Sequence, residues 1–373
     1  MAKLAGSSIL FSFLFSLSLV AMNVAEVTSE DAPVLFIFGD STADVGTNNF
    51  LNTRAKANFL YYGIDFPYSI PTGRFSNGFN TADQIARLFG YKTSPPPFLV
   101  LEERQFSFKK NILNGVNFAS AGSGILEETG LRQWGEVVSL GEQVQQFALV
   151  HGNISEILGQ AKAASYFSRA LFLFSTGSND LFDYSRNESG SIRLGKEEYL
   201  TYMQQNFYVQ IRKLYNLGAR RFGIVSIPPL GCCPAIRALN RSNGGKCVVE
   251  LNDFAYAFYQ ATESLLKRLS FELKDFKYSL SNSIAMTLPV LNSPQLFGIK
   301  DTISACCGTG YLNGEGGCSK PNNTDLCKDR SDHLFWDLFH PTEKASELAA
   351  LTLFQGSLVF MSPLNFSQLA RTA

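Results

Sequence analysis

Histidine is scarce in this chain of 373 residues: His151, His333 and His340 are the whole supply. A serine hydroxyl becomes a useful nucleophile beside a base, and the base needs a carboxylate to hold its tautomer and orientation. His340 meets that need inside a compact motif, Asp337-Leu338-Phe339-His340-Pro341, with the carboxylate three residues before the ring. His333 also has an acidic neighbour, Asp332, but side chains of adjacent residues are expected to point in different directions. His151 falls at the end of an amphipathic stretch and reads as a surface histidine. Alone, the D-x-x-H spacing would equally suit a capping aspartate ahead of a helix over Thr342 to Phe354. Alone, Gly39-Asp40-Ser41-Thr42 would equally suit a polar turn. Together with Asn179 in Gly177-Ser178-Asn179-Asp180, they are a much stronger sign of a serine nucleophile with its base and carboxylate.

These residues follow apolar runs. Val34 to Phe38 reads VLFIF, the mark of a strand covered on both faces of a parallel sheet. Similar runs recur at Gly115 to Ala119, Ala170 to Phe174 and Phe222 to Ile227. Between and after them lie amphipathic helices. Leu200, Met203, Phe207, Ile211 and Leu214 repeat at helical spacing within Glu197 to Leu217, with Gly218 placed as a helix-ending glycine. Leu251, Phe254, Phe258, Ala261 and Leu265 repeat the pattern. Alternation of this kind predicts an α/β fold, a three-layer sandwich with a doubly wound parallel sheet. In such folds ligands bind beyond the carboxyl ends of the strands, where the polar tips stand. The Pro95-Pro96-Pro97 run reads as a surface loop. No composition shift or repeat divides the chain, so one domain is expected over residues 26–373.

Composition narrows the function. Lys and Arg number 32 against 32 Asp and Glu, so no surplus of positive charge exists for nucleic acid. Hydrophobic residues make up 45% and charged ones 17%, which excludes a disordered chain. The spacing of the seven cysteines contains no pair of C-x2-C knuckles, so no metal site and no cofactor are expected. H-E-x-x-H is absent. Gly190 to Lys196 resembles a phosphate loop, but Glu197 stands where a Ser or Thr is required. The G-x-S-x-G pentapeptide of the other α/β lipases is missing as well.

The first 25 residues read as a secretory signal peptide: Lys3, then the uncharged run Ile9 to Met22, then small residues near Ala25. A secreted chain, extracellular or in the cell wall, gives meaning to two other features. The N-x-[ST] sequons at Asn153, Asn187, Asn240, Asn322 and Asn365 become glycosylation candidates in surface loops. The cysteines, all between Cys232 and Cys327, become disulfide candidates with one left unpaired. No later run suggests an integral membrane segment.

Long motifs in a fixed order carry a resemblance. FIFGDSTADVGTNNF (Phe36 to Phe50), TGRFSNGFNTADQIA (Thr72 to Ala86), GVNFASAGSGIL (Gly115 to Leu126) and STGSNDL (Ser175 to Leu181) come first. VSIPPLGCCPAIR (Val225 to Arg237), ACCGTGYLNGEGGC (Ala305 to Cys318) and LFWDLFHPTEKA (Leu334 to Ala345) follow. Over nearly the whole chain after the leader, the sequence resembles the plant GDSL-type esterases/lipases of the SGNH hydrolase superfamily. Thr42 stands where the family name has Leu, a position that varies among plant members. The resemblance implies the SGNH hydrolase fold, with a flavodoxin-like parallel sheet. It implies Ser41 as nucleophile, His340 as general base and Asp337 as its orienting carboxylate. It also implies an oxyanion hole of the Ser41 backbone N–H, a Gly122 N–H and the Asn179 side chain, with Gly124 the glycine most easily confused with Gly122. The expected partner is a small-molecule or lipid acyl ester, hydrolysed through an acyl-enzyme. The same intermediate would serve an acyltransferase with an alcohol acceptor or a deacetylase of cell-wall polysaccharide. A catalytically silent binding protein would show a substitution at Ser41, Asn179, Asp337 or His340, and none is substituted.

Overall fold

The computed structural model describes residues 32–186, 194–318 and 325–372. The leader and the sequons Asn187 and Asn322 lie outside the described residues, as does most of the Gly190 to Lys196 segment. Among the described residues the central sheet has six strands: β1 (Leu35–Gly39), β2 (Val116–Asn117), β3 (Leu171–Ser175), β4 (Arg221–Val225), β5 (Lys277–Ser281) and β6 (Met361–Ser362). Their spatial order is β6-β5-β4-β3-β1-β2, parallel throughout except for β6.

The greasy strands are explained by their two faces. In β1 and its neighbours, Phe36, Phe38, Phe172, Phe174 and Phe222 point to one side and are fully buried. That side is covered by helices α2 (Leu140–Leu158), α4 (Lys196–Asn216) and α5 (Val249–Glu272), through residues such as Phe147, Phe207 and Phe258. Leu35, Ile37, Leu171 and Leu173 point to the other side. There α1 (Thr81–Leu88), α6 (Glu343–Gln355) and α7 (Phe366–Ala370) close the second layer with Ile85, Leu353 and Phe366. Parallel register places Phe36 beside Phe172 and Phe38 beside Phe174, whose rings stack at 5.0 Å. Burying each such side chain stabilises the fold by about 2–3 kcal/mol, so the phenylalanine-rich strands make the layer boundary. Gly223 leaves room for the Phe366 ring, which an added Cβ would meet at 2.9 Å.

Several local expectations change. The run at Gly115 to Ala119 yields only the two-residue strand β2. The proline run is not a surface loop: Pro95 and Pro97 are buried, and Asn117 donates its N–H to Pro96 O at 3.0 Å. That segment covers the outer edge of β2, which would otherwise expose unpaired backbone groups. β5 carries no buried-strand signature in the sequence, because KYSLS starts with an exposed lysine and has no continuous apolar run. Among the described residues, no helix is long and apolar enough to cross a membrane.

Candidate active site

The strand order β2-β1-β3-β4-β5 reverses direction between β1 and β3, which is where an open α/β sheet leaves its crevice. Ser41 stands just past β1. Gly39 turns the chain there at φ +152°, and an added Cβ would lie 2.2 Å from Ser175 O of β3. Gln143 of α2 fixes this turn from below, accepting from Gly39 N at 2.8 Å and donating to Gly39 O at 2.9 Å. Asp40, fully buried, accepts from the Thr42 N–H and hydroxyl. Burial raises the Asp40 carboxyl above its ordinary range, and the Thr42 donors oppose that rise.

His340 reaches Ser41 from the loop before α6. Its Nε2 lies 2.7 Å from Ser41 Oγ, and its Nδ1 lies 2.8 Å from Asp337 Oδ1. Asp337 Oδ1 also accepts the backbone N–H groups of Phe339, at 3.0 Å, and His340, at 2.9 Å. The three-residue offset is thus a turn in which the carboxylate holds its own loop and the ring at once. The helix that follows is capped by Thr342, whose hydroxyl accepts from Ala345 N at 3.1 Å, so Asp337 has no capping duty. Burial would raise the Asp337 carboxyl, but His340 and these hydrogen bonds outweigh it and hold it below the usual carboxylate range. An ionised Asp337 only accepts, so Nδ1 carries the ring proton and Nε2 is left to accept from the Ser41 hydroxyl.

Two aromatic residues complete this dyad. Tyr62 donates its hydroxyl to Asp337 Oδ2 at 2.7 Å and is buried. Its phenol is pushed well above its ordinary range, by burial first and by Asp337 second. The Phe75 ring lies 4.9 Å from the His340 ring. Neither was found from sequence. Tyr62 and Asp337 are 275 residues apart, and no local spacing links them.

Gly122 and Asn179 line the same cavity as Ser41, His340 and Asp337, whereas Gly124 is not among the described residues that do so. Gly124 instead packs on Asp180, where an added Cβ would lie 2.4 Å from Oδ2. Gly122 adopts φ +83°, and a Cβ there would meet Trp134 Cδ1 at 2.6 Å, so only glycine fits. Asn48 clamps its turn by donating to Ala121 O at 2.8 Å and accepting from Ala121 N at 3.1 Å. Asn179 opens helix α3 (Ser178–Arg186), and its Nδ2 donates to Ser123 O at 2.9 Å. An amide nitrogen has a second proton, which is free to serve a ligand.

The cavity measures about 640 Å³. Its walls are mainly apolar, including Phe59, Trp134, Phe182, Leu230, Val290 and Phe339. That is the shape and chemistry of a site for an organic ligand with a few fixed polar groups.

The other two histidines stand apart from it. His333 does meet its neighbour, contrary to expectation: its Nδ1 lies 2.6 Å from Asp332 Oδ1. Asp332 ends the tight turn Arg330–Asp332, which breaks the alternation of an extended chain. His151 is half-buried and stacks on Phe167 at 4.6 Å, and burial lowers its imidazole, so it is not a surface residue.

Cysteines form the bridges Cys232–Cys247, Cys306–Cys327 and Cys307–Cys318, and Cys233 is free and buried. Cys306 N and Cys307 N donate to Phe335 O and Trp336 O, so two bridges brace the strand that leads to Asp337. Of the described sequons, Asn153 lies inside α2 and donates to Leu149 O, not in a loop. Asn240 ends a short helix at Leu239, and Asn365 caps α7.

The chain is similar to known proteins over most of its length. Residues 35–353 match the family described as GDSL-like Lipase/Acylhydrolase. An Arabidopsis thaliana GDSL esterase/lipase is 38% identical over 341 residues, 90% of each chain. Another from the same plant is 35% identical over 338 residues, covering 89% of this chain and 91% of its own. The Arabidopsis GDSL esterase/lipase LTL1 is 35% identical over 364 residues, 95% of each chain.

Proposed function

The chain belongs to the GDSL-like lipase/acylhydrolase family and is a carboxylic ester hydrolase, and from that premise we propose that it cleaves lipid or other acyl esters through a Ser41 acyl-enzyme. The observation that carries this reading is the unbroken hydrogen-bonded relay from Ser41 Oγ through His340 to Asp337, opening on an apolar cavity.

Ser41 Oγ attacks the ester carbonyl while His340 Nε2 takes its proton, and Asp337 stabilises the imidazolium. The carbonyl oxygen becomes an oxyanion held by the N–H groups of Ser41 and Gly122 and by Asn179 Nδ2. One such donor is worth about 3 kcal/mol at the transition state. Collapse expels the alcohol, which receives the proton from His340. Water then enters the same site and attacks the acyl carbon while His340 takes its proton, and collapse releases the acid as His340 returns that proton to Ser41 Oγ.

The same reading extends to the whole chain: residues 1–25 are removed on export, and residues 26–373 act as one hydrolase domain outside the cell or in the wall. Three disulfides among the described residues support an oxidising compartment.

The test is a series of 4-nitrophenyl esters from acetate to palmitate. The expected result is turnover that Ser41→Ala abolishes while its circular dichroism spectrum stays unchanged. Full turnover in that variant would overturn the assignment.

A further inference from the structure

The charges around the cavity are one-sided. Of the ionisable side chains that line it, Asp337 is committed to His340 and Tyr62, and Asp40 is buried against Thr42. Among the described residues, the remaining charged ones that line it are Arg54, Lys56 and Arg186, all cations. Among the described residues, none of the three lies within ion-pair distance of a carboxylate. Neutral acceptors hold them instead. Arg54 donates to Gln133 O and, at 3.2 Å, to Arg132 O. Lys56 donates to Leu51 O at 2.8 Å and Asn49 O at 3.2 Å. Arg186 donates to Gln133 Oε1 and lies over the rings of Phe182 and Phe339, at 5.5 and 5.8 Å from their centroids. Phe339 is next in sequence to His340, and Arg186 lines the same cavity as Ser41 and His340. Arg54 and Arg186 also meet at one residue, Gln133, which gathers their charges on one wall.

Cations placed by neutral partners keep their field for a ligand. A mainly apolar cavity with cations at one wall suits a molecule with an apolar body and one anion. We propose that the preferred substrates are anionic amphiphilic esters: an acyl or aryl body in the cavity, and a carboxylate or phosphate against Arg186 and Arg54. Guanidinium groups suit both anions through paired N–H donors. The proposal rests on the ester-hydrolase reading above and names the substrate class of that same site.

Two matched pairs test it. The carboxylate pair is 4-nitrophenyl decanoate and its 3-carboxy derivative, each normalised to its alkaline hydrolysis rate. The phosphate pair is 1-decanoylglycerol and 1-decanoylglycerol 3-phosphate. The expected result is a higher kcat/KM for the anionic member of at least one pair, and which pair responds tells carboxylate from phosphate. Added salt should erode the preference. Arg54→Gln with Arg186→Gln should cut it roughly five- to tenfold, the size of two partly exposed charge pairs, while Arg186→Lys, which keeps the charge, retains more of it. Cleavage of the neutral esters with no anionic preference, or a preference unmoved in the double glutamine variant, overturns the proposal alone. Failure to cleave any of the four overturns the ester-hydrolase reading and this proposal with it.

Discussion

Tyr62 donates its hydroxyl to Asp337 Oδ2 at 2.7 Å, while Asp337 Oδ1 takes two backbone N–H groups and the His340 Nδ1 lies against both oxygens, at 2.8 Å from Oδ1 and 2.9 Å from Oδ2. Tyr62 is itself packed edge-on against Phe59, Phe75 and Trp336. The Asp337 carboxylate is therefore held from both sides, and one of its donors comes from a part of the chain far from the D-x-x-H motif.

Tyr62→Phe keeps the packing and removes one charge-assisted hydrogen bond, a loss of about 1.5–3 kcal/mol in the stability of that arrangement. The fold should survive, and kcat should fall more than KM rises. A carboxylate relieved of one donor holds the imidazolium more tightly, so the acidic limb of the kcat/KM profile should move to higher pH. A profile unchanged in both height and position would show that Tyr62 only fills space.

Asn179→Ala should lower kcat by roughly 10²–10³-fold with little change in KM, as expected for a donor used chiefly at the transition state. Gly122→Ala should be worse, because its Cβ would meet Trp134 at 2.6 Å in a backbone conformation that alanine resists. Gly124→Ala should disturb stability through Asp180 instead. Kinetics paired with thermal melts would separate the three.

Two buried acids give stability a definite pH dependence. Burial raises the Asp44 carboxyl to about 6 and the Asp180 carboxyl to about 7, despite the backbone N–H donors that each accepts. Unfolded carboxyls titrate near 3.9, so between about pH 4 and pH 7 the folded chain holds protons that the unfolded chain has released. Stability from these two groups is full below about pH 4 and declines as pH rises through that window. Asp337 acts oppositely: its depressed carboxyl contributes stability above its ordinary value, lost as pH falls through its folded one. Melting temperature measured from pH 4 to pH 7.5 should decline less steeply in Asp44→Asn and Asp180→Asn than in the parent chain. Parallel slopes would contradict the assignment.

The sheet was legible where strands are buried on both faces, because runs such as VLFIF have no other simple reading. It was not legible at β5, whose KYSLS alternates polar and apolar residues, or at β6, which has only two residues. The relay of Ser41, Asp337 and His340 could be picked out because histidine is scarce and the motifs are local. Tyr62, Phe75 and Gln143 could not, since each reaches its partner only after the chain has folded. That Gly122 lines the cavity and Gly124 does not was likewise hidden, because both glycines lie in one motif. Charge asymmetry around the cavity was hidden by a net charge of zero, for totals carry no information about which wall a side chain occupies.

The central claim is that Ser41 is the nucleophile activated by His340. Incubation with an alkyl fluorophosphonate, followed by intact-mass and peptide analysis, tests it most directly. The expected result is one adduct per chain on Ser41, absent in Ser41→Ala and strongly slowed in His340→Ala. An adduct on any other residue, or labelling at an undiminished rate in His340→Ala, would contradict it.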